Sequence, residues 1–413
     1  MRFRIALLGF MVCMAGPVSA GEVEVLHWWT SGGESKSVAV LKQLMEDQGH
    51  TWKDLSVAGG GGDSAMTVLK SRVFAGNPPV AAQMKAPLIK EWAYEGVLTN
   101  LDAIAARGRW DALLPTVIRD AMKYEGHYVA VPVNIHRVNW MWVNPKVFEK
   151  AGAKIPTTWA EFEVAAKAIE KAGFIAVAHG GKPWQEATVF ESVVLGIGGA
   201  DFYREAFVAL KPEALKSATM ARAFDMLKTI KRYTDKDAPG RDWNLATAMI
   251  ISGRAGMQFM GDWAKGEFLN ANQKPGVDFL CFPVPETQGM FIYNVDSFAM
   301  FEQTKREIQF AQNDLAKTIM EPEFQEVFSL NKGSIPVRLN MPMDKFDQYA
   351  VASLKDFSTS TENRTLVPSM AHDMATSPST KGAIYDVVTL FYNSEMSSAE
   401  ACKRLVLEVR ASL

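Results

Sequence analysis

The chain has 413 residues, room for two domains of ordinary size, and its 48% apolar and 22% charged residues are those of a water-soluble globular protein. A formal charge of −2 offers nothing to nucleic acid or to an anionic membrane surface. Arg2 and Arg4, the apolar run 5–15 and the small residues Val18-Ser19-Ala20 predict an export signal over 1–20, cleaved near Ala20. That run is too short for a membrane span. Its removal takes two arginines and no acids, moving the charge from −2 to −4, and predicts a soluble protein of the periplasm. Cys13 leaves with the signal; as a lipid-anchor site it is poorly matched by the residues that follow. Cys281 and Cys402 remain, free to pair in an oxidising compartment, although nothing in the sequence brings their sulfurs together.

The mature chain opens with a strand through Val23, Val25 and Leu26. It runs into Trp28-Trp29, a polar turn and Glu34, followed by a helix over 36–47. A second strand at 55–58 leads to Gly59-Gly60-Gly61-Gly62-Asp63, with Asp63 the expected N-cap of a helix through Met66, Leu69 and Val73. The Gly-Lys-Ser/Thr ending of a phosphate loop is absent, so the glycines read as a tight turn whose backbone lies near a cleft. A strand over 80–84 places Lys85 just past its end, and a helix spans 87–94. The apolar stretch 129–143, interrupted by Pro132, reads as a crossing and then a strand, with Trp140 and Trp142 in the core.

From Trp159 a helix runs to Gly173, with Thr158 as N-cap and Glu161 completing a capping box. A strand at 175–178, a loop carrying Trp184 and charged helices over 200–240 follow. Trp243 sits in the polar break Asp-Trp-Asn. A strand at 255–260 ends at Gly261-Asp262-Trp263, where Asp262 is the expected cap of the next helix. Strands are expected at 277–282 and, as a pair, at 290–300, the latter containing Asn294-Val295-Asp296-Ser297. A helix at 305–320 and then residues 322–330 precede the loop Asn331-Lys332-Gly333-Ser334. The remainder is helical, broken at 368–378, where His372 lies. Alternating strands and helices predict α/β lobes.

Eleven tryptophans is a high count. Trp28, Trp29, Trp184, Trp243 and Trp263 fall in polar or glycine-rich breaks, where ligands meet the strand tips of α/β sheets. Glu34, Lys85, Asp296 and Lys332 are placed the same way. Indole faces suit the C–H face of a pyranose, and charged side chains suit its hydroxyls. Gly-x-Ser-x-Gly, His-Glu-x-x-His and metal-ligand spacings are absent, and the six histidines are scattered, so no cofactor or metal is implied. A glycosidase built on Glu34 and Asp296 remains the enzymatic alternative.

The ordered set 24–34, Gly59–Met66, 75–79, Pro-Val-Asn-Ile-His-Arg (132–137), Met-Gly-Asp-Trp-Ala (260–264), Asn-Val-Asp-Ser-Phe (294–298) and Asn-Lys-Gly-Ser-Ile-Pro (331–336) resembles the solute-binding proteins of bacterial sugar ABC importers, extracellular solute-binding protein family 1. The resemblance is greatest to the periplasmic glucose-binding (glucose/galactose) branch. It implies a type II periplasmic-binding-protein fold of two α/β lobes, residues 21–131 with 287–334 and residues 132–286 with 335–413, joined by crossings near Pro132, Pro285 and Ile335. It implies a cleft in which Trp28, Trp29, Glu34 and Lys85 of one lobe and Trp243 and Trp263 of the other hold a monosaccharide, glucose first, with Asp296, Lys332 and His372 completing the polar ring. Trp184 and Asn134 are further candidates. Galactose, mannose or a disaccharide are the alternative ligands. The implied partner is an ABC permease in the inner membrane, and presentation of the bound sugar to a chemoreceptor is compatible with the same role.

Overall fold

The structure, a computed structural model, describes residues 20–413; all but the last residue of the expected export signal, and Cys13 with it, lie outside the described residues. The chain folds into two α/β lobes, each with its own sheet and apolar core.

The sheet of the first lobe grows from strand β1 (Glu22–His27), whose residues after Glu22 are all buried, as a central parallel strand requires. It pairs in parallel with β2 (Thr51–Ser56) and with β3 (Ala81–Met84). Between them lie helices α1 (Gly32–Asp47) and α2 (Asp63–Phe74), and after β3 comes α3 (Ala86–Tyr94). The sheet then turns antiparallel: Phe291–Met300 lies beside β3, Ala130–Arg137 beside Phe291–Met300, and the short Ile335–Pro336 on the edge. Residues 290–300, expected as two strands, form this single ten-residue strand. Leu366–Pro368 pairs with its beginning.

The second sheet has four strands, in the order Leu280–Pro283, Trp140–Val143, Ala255–Phe259, Ile175–Val177. Trp140 and Trp142 are buried in its core, as their spacing predicts. Its longest helix, Pro183–Phe207, starts with Trp184 in its first turn. Cys281 and Cys402 are both buried here as free thiols.

The crossings differ from those expected. Pro132 lies inside the strand Ala130–Arg137 of the first sheet, and the chain passes to the second lobe at Val138 and Asn139. The return runs through 284–290, close to the expected Pro285. Ile335 does not cross: it pairs with Ile135 in the first sheet, and the following helix, Gln348–Glu362, packs Ala350 and Phe357 into the first core. The third crossing comes after Pro368, at 369–371.

Two buried ionisable side chains tie these crossings together. Arg137 has its guanidinium 4.1 Å from the Trp140 ring centre and 5.1 Å from that of Phe291. It pairs with Asp356 at 2.6 Å and donates to the Met290 carbonyl at 3.2 Å. Glu191 accepts from the hydroxyls of Tyr203 (2.6 Å) and Ser369 (2.7 Å) and from the backbone N–H of Met370 (2.7 Å). Among the described residues no helix is long and apolar enough to cross a membrane.

Candidate functional site

At the tip of β1 the chain turns through Trp28 and Trp29 into α1. Ser31 caps this helix, which starts four residues earlier than its apolar spacing suggests, and Glu34 closes a capping box by accepting from the Ser31 N–H at 3.3 Å. The other Glu34 oxygen accepts from Lys332 at 2.7 Å. Lys332 ends the helix Pro322–Lys332, where Gly333, at φ 86°, supplies the left-handed turn that stops it. Lys85 is the N-cap of α3, and its ammonium pairs with Asp296.

The ladder beside Asp296 is irregular. Between Asp296 and Ser297 the register with the neighbouring strand shifts: Asp296 opposes Asn134, and Ser297 opposes Pro132, which has no N–H to give. Along the same two strands Asn294 faces His136. Period two therefore puts Asn134, His136, Asn294 and Asp296 side by side. His136 lies between two carboxylates, one ring nitrogen bonded to Asp262 and the other 2.9 Å from Asp296. Asp262, expected to cap a helix, instead accepts the Arg137 N–H at 2.9 Å; Trp263 takes the cap position of Ala264–Asn270. Asp63 likewise stands one residue inside α2, with Gly62 as cap, and its carboxylate reaches Lys381 of the other lobe at 3.0 Å.

These side chains line one cavity between the lobes, with about 430 Å³ of empty space including its mouth. Trp28, Trp29, Glu34, Lys85, Trp243, Trp263, Asp296, Lys332 and His372 all reach it, as does Trp184. So do His136, Asn294, Gly60 and Gly61, the first two not singled out from the sequence. Asn134 stands behind them, its amide nitrogen 2.9 Å from His136. Trp29 also packs on Phe298 and Phe328, with ring centres 5.5 and 5.2 Å away, so part of its surface is core. The glycine loop closes over the other lobe: a Cβ on Gly60 would stand 2.9 Å from the Trp184 ring.

The charges are balanced. Burial alone would raise the Asp296 carboxyl, but Lys85, His136 and Lys332 hold it well below the usual carboxylate range. Burial, with Lys85, His136 and Lys381 nearby, keeps His372 neutral, well below an ordinary histidine, and its Nε2 lies 3.1 Å from the Thr188 hydroxyl. Two buried polar atoms of the lining, Trp184 Nε1 and Asn294 Oδ1, have no hydrogen-bond partner among the described residues. Such atoms are costly unless something else in the cleft bonds them.

The profile of the bacterial extracellular solute-binding protein family matches residues 29–317. The chain is 48% identical over 407 residues to a protein of Brucella melitensis biotype 1 named a probable sugar-binding periplasmic protein, covering 98% of this chain and 96% of the relative. A protein of Rhizobium meliloti with the same name is 47% identical over 407 residues, covering 98% of each. The chain belongs to the bacterial extracellular solute-binding protein family. Among solved structures, a chitin oligosaccharide binding protein superposes with a TM-score of 0.81 at 17% identity, over 95% of this chain and 99% of that one, a likeness of fold. The two-lobe periplasmic-binding-protein fold expected from the sequence is thus the one observed.

Membership makes this a binding protein rather than an enzyme. The cleft chemistry agrees. A glycosidase needs one carboxyl that carries a proton to the leaving group. Asp296 is held ionised by Lys85 and His136, and Glu34 is occupied by Lys332.

Proposed function

We propose that this solute-binding protein captures one neutral monosaccharide, glucose before galactose or mannose, in the periplasm and delivers it to an ABC permease. The observation that carries this reading is the lining itself: the indoles of Trp28, Trp184, Trp243 and Trp263 surround carboxylates and ammonium groups that already neutralise one another. Indoles offer apolar faces to the C–H surfaces of a pyranose. Paired charges keep spare lone pairs and protons for hydroxyls and leave no net charge to attract an acidic or amino sugar. The unpartnered Trp184 N–H and Asn294 carbonyl add one donor and one acceptor.

Size supports a single ring. The roughly 430 Å³ of empty space already includes the open mouth, so the enclosed part is smaller still, and the Gly60–Trp184 approach leaves no side-chain width for the cleft to extend that way. The names of the Brucella and Rhizobium relatives support a sugar and the periplasm. A thermal-shift screen of the full mature chain against neutral monosaccharides, disaccharides, glucuronate and glucosamine tests the reading. A ligand of the folded closed state raises the melting temperature. The expected result is a rise with glucose and none with the charged sugars; a rise confined to disaccharides or charged sugars would overturn it.

A further inference from the structure

On the cleft floor His136 touches carboxylates of both lobes, Asp296 beside it in the first sheet and Asp262 from the loop after Ala255–Phe259 in the second lobe. We infer that His136 works as a doubly hydrogen-bonded cation, a positioning residue that fixes Asp296 for the ligand and balances the charge of the cleft, so that sugar affinity depends on both of its ring nitrogens carrying a proton. The inference rests on the sugar-binding reading above.

The geometry demands two donors. A carboxylate oxygen can only accept, so a ring between two ionised carboxylates satisfies both contacts only as imidazolium. Neutral imidazole has one N–H, and its other nitrogen would turn a lone pair toward a carboxylate. The ring is 1% exposed and lies edge-on to Trp263 with centres 5.3 Å apart. Burial disfavours the charged ring, but Asp262 and Asp296 outweigh it and raise its proton affinity above that of an ordinary histidine. The neighbouring Asn134 fits as well: with its amide turned over, its oxygen, unpartnered among the described residues, would face the protonated Nε2.

The charge count points the same way. Facing His136 are Asp262, Asp296 and Lys85, then Lys332 with its partner Glu34, and the neutral His372. Three carboxylates meet two ammonium groups, and the imidazolium brings the set to zero. Loss of its proton leaves a buried net charge of minus one and frees Asp296 from one of its three donors, Lys85, Gln83 and His136.

The test uses the full mature chain and D-glucose. Imidazole ¹⁵N shifts followed from pH 6 to pH 10 report whether both nitrogens of His136 are protonated, and calorimetry over the same range gives the Kd. The expected result is an imidazolium at pH 7.5 and an affinity that falls at least tenfold as that signature is lost. His136→Gln, which keeps polar contacts but cannot carry the charge, should bind at least tenfold more weakly at pH 7 with a flat profile across the interval. Asp262→Asn, outside the cavity lining, should move the imidazole titration to lower pH and carry the affinity change with it. This keeps the inference testable if His136→Gln does not fold. A neutral His136 at pH 7.5, or a Kd that ignores its titration, would overturn the inference and leave the sugar reading standing. Failure of the wild type to bind any monosaccharide would overturn both.

Discussion

Lys85 shows how single residues carry both the site and the stability. Its ammonium is buried with Asp296 and lies 5.7 Å from the Trp28 ring centre, so it serves carboxylate, indole and cleft together. Lys85→Met removes one partner of a buried pair, a change that costs about 3–5 kcal/mol in general. Gln83 and His136 still bond Asp296, which puts the expected loss at the lower end. We predict a lower denaturation midpoint and at least tenfold weaker glucose binding by calorimetry; unchanged binding would remove Lys85 from the site. Glu191 is the second case. Burial pushes its carboxyl from 4.5 up to about 7 despite its hydroxyl and backbone donors. Between those values the folded protein holds a proton that the unfolded chain has released. Stability from this group is therefore full below pH 4.5, declines as pH rises through 7, and is constant beyond. Up to about 3 kcal/mol is at stake. Melting curves of Glu191→Gln should lack that part of the wild-type decline between pH 5 and pH 7.5; parallel curves would contradict it.

At the scale of elements, the glycine loop between β2 and α2 is a contact surface between lobes. Gly62, at φ 90°, starts α2 in a conformation other residues resist, and a Cβ there would stand 3.0 Å from Trp28. Gly60 is different: its conformation suits any residue, and what its Cβ would meet is Trp184, across the cleft. Gly60→Ala should leave the sugar-free melting temperature within a degree or two and weaken glucose binding about tenfold or more, because the methyl obstructs the closed form alone. Equal loss of stability with and without sugar would show that the contact is not specific to closure. This loop was legible beforehand because glycines ahead of a helix have few other uses, and the break-placed tryptophans and charges were legible for the same reason. His136 and Asn294 were not singled out, since each lies inside an otherwise apolar strand where alternation also describes an ordinary core. Their signal was the pairing of Asn134 and His136 with Asn294 and Asp296 at period two, and it takes the register of two strands about 160 residues apart to see it. Asp262 and Asp63 resemble helix caps in sequence because local spacing is all a cap requires; contacts with Arg137 and Lys381 redirected them.

For the molecule as a whole, lobes joined at three crossings and meeting over a lined cleft describe a closed state. Its links lie on both sides of the cleft: Glu267 accepts the Gly33 N–H at 2.8 Å, and Lys381 is shared by Asp63 and Asp373. Ligand favours closure only as far as it binds that state better than the open one. Asp63 is largely exposed and Lys381 keeps Asp373, so Asp63→Asn should weaken glucose binding at most about fivefold, a surface-pair effect. The two-lobe plan could be read from alternating strands and helices, whereas the first crossing could not, because Pro132 resembles a break and instead lies inside a strand, next to the residue, Val133, that the register shift leaves unpaired. The most direct measurement is a calorimetric titration of the mature protein with D-glucose, repeated with Trp28→Ala and Trp263→Ala. The account predicts one site per chain and at least tenfold weaker binding in each variant. Wild-type heats indistinguishable from dilution, or affinities untouched by both substitutions, would contradict it.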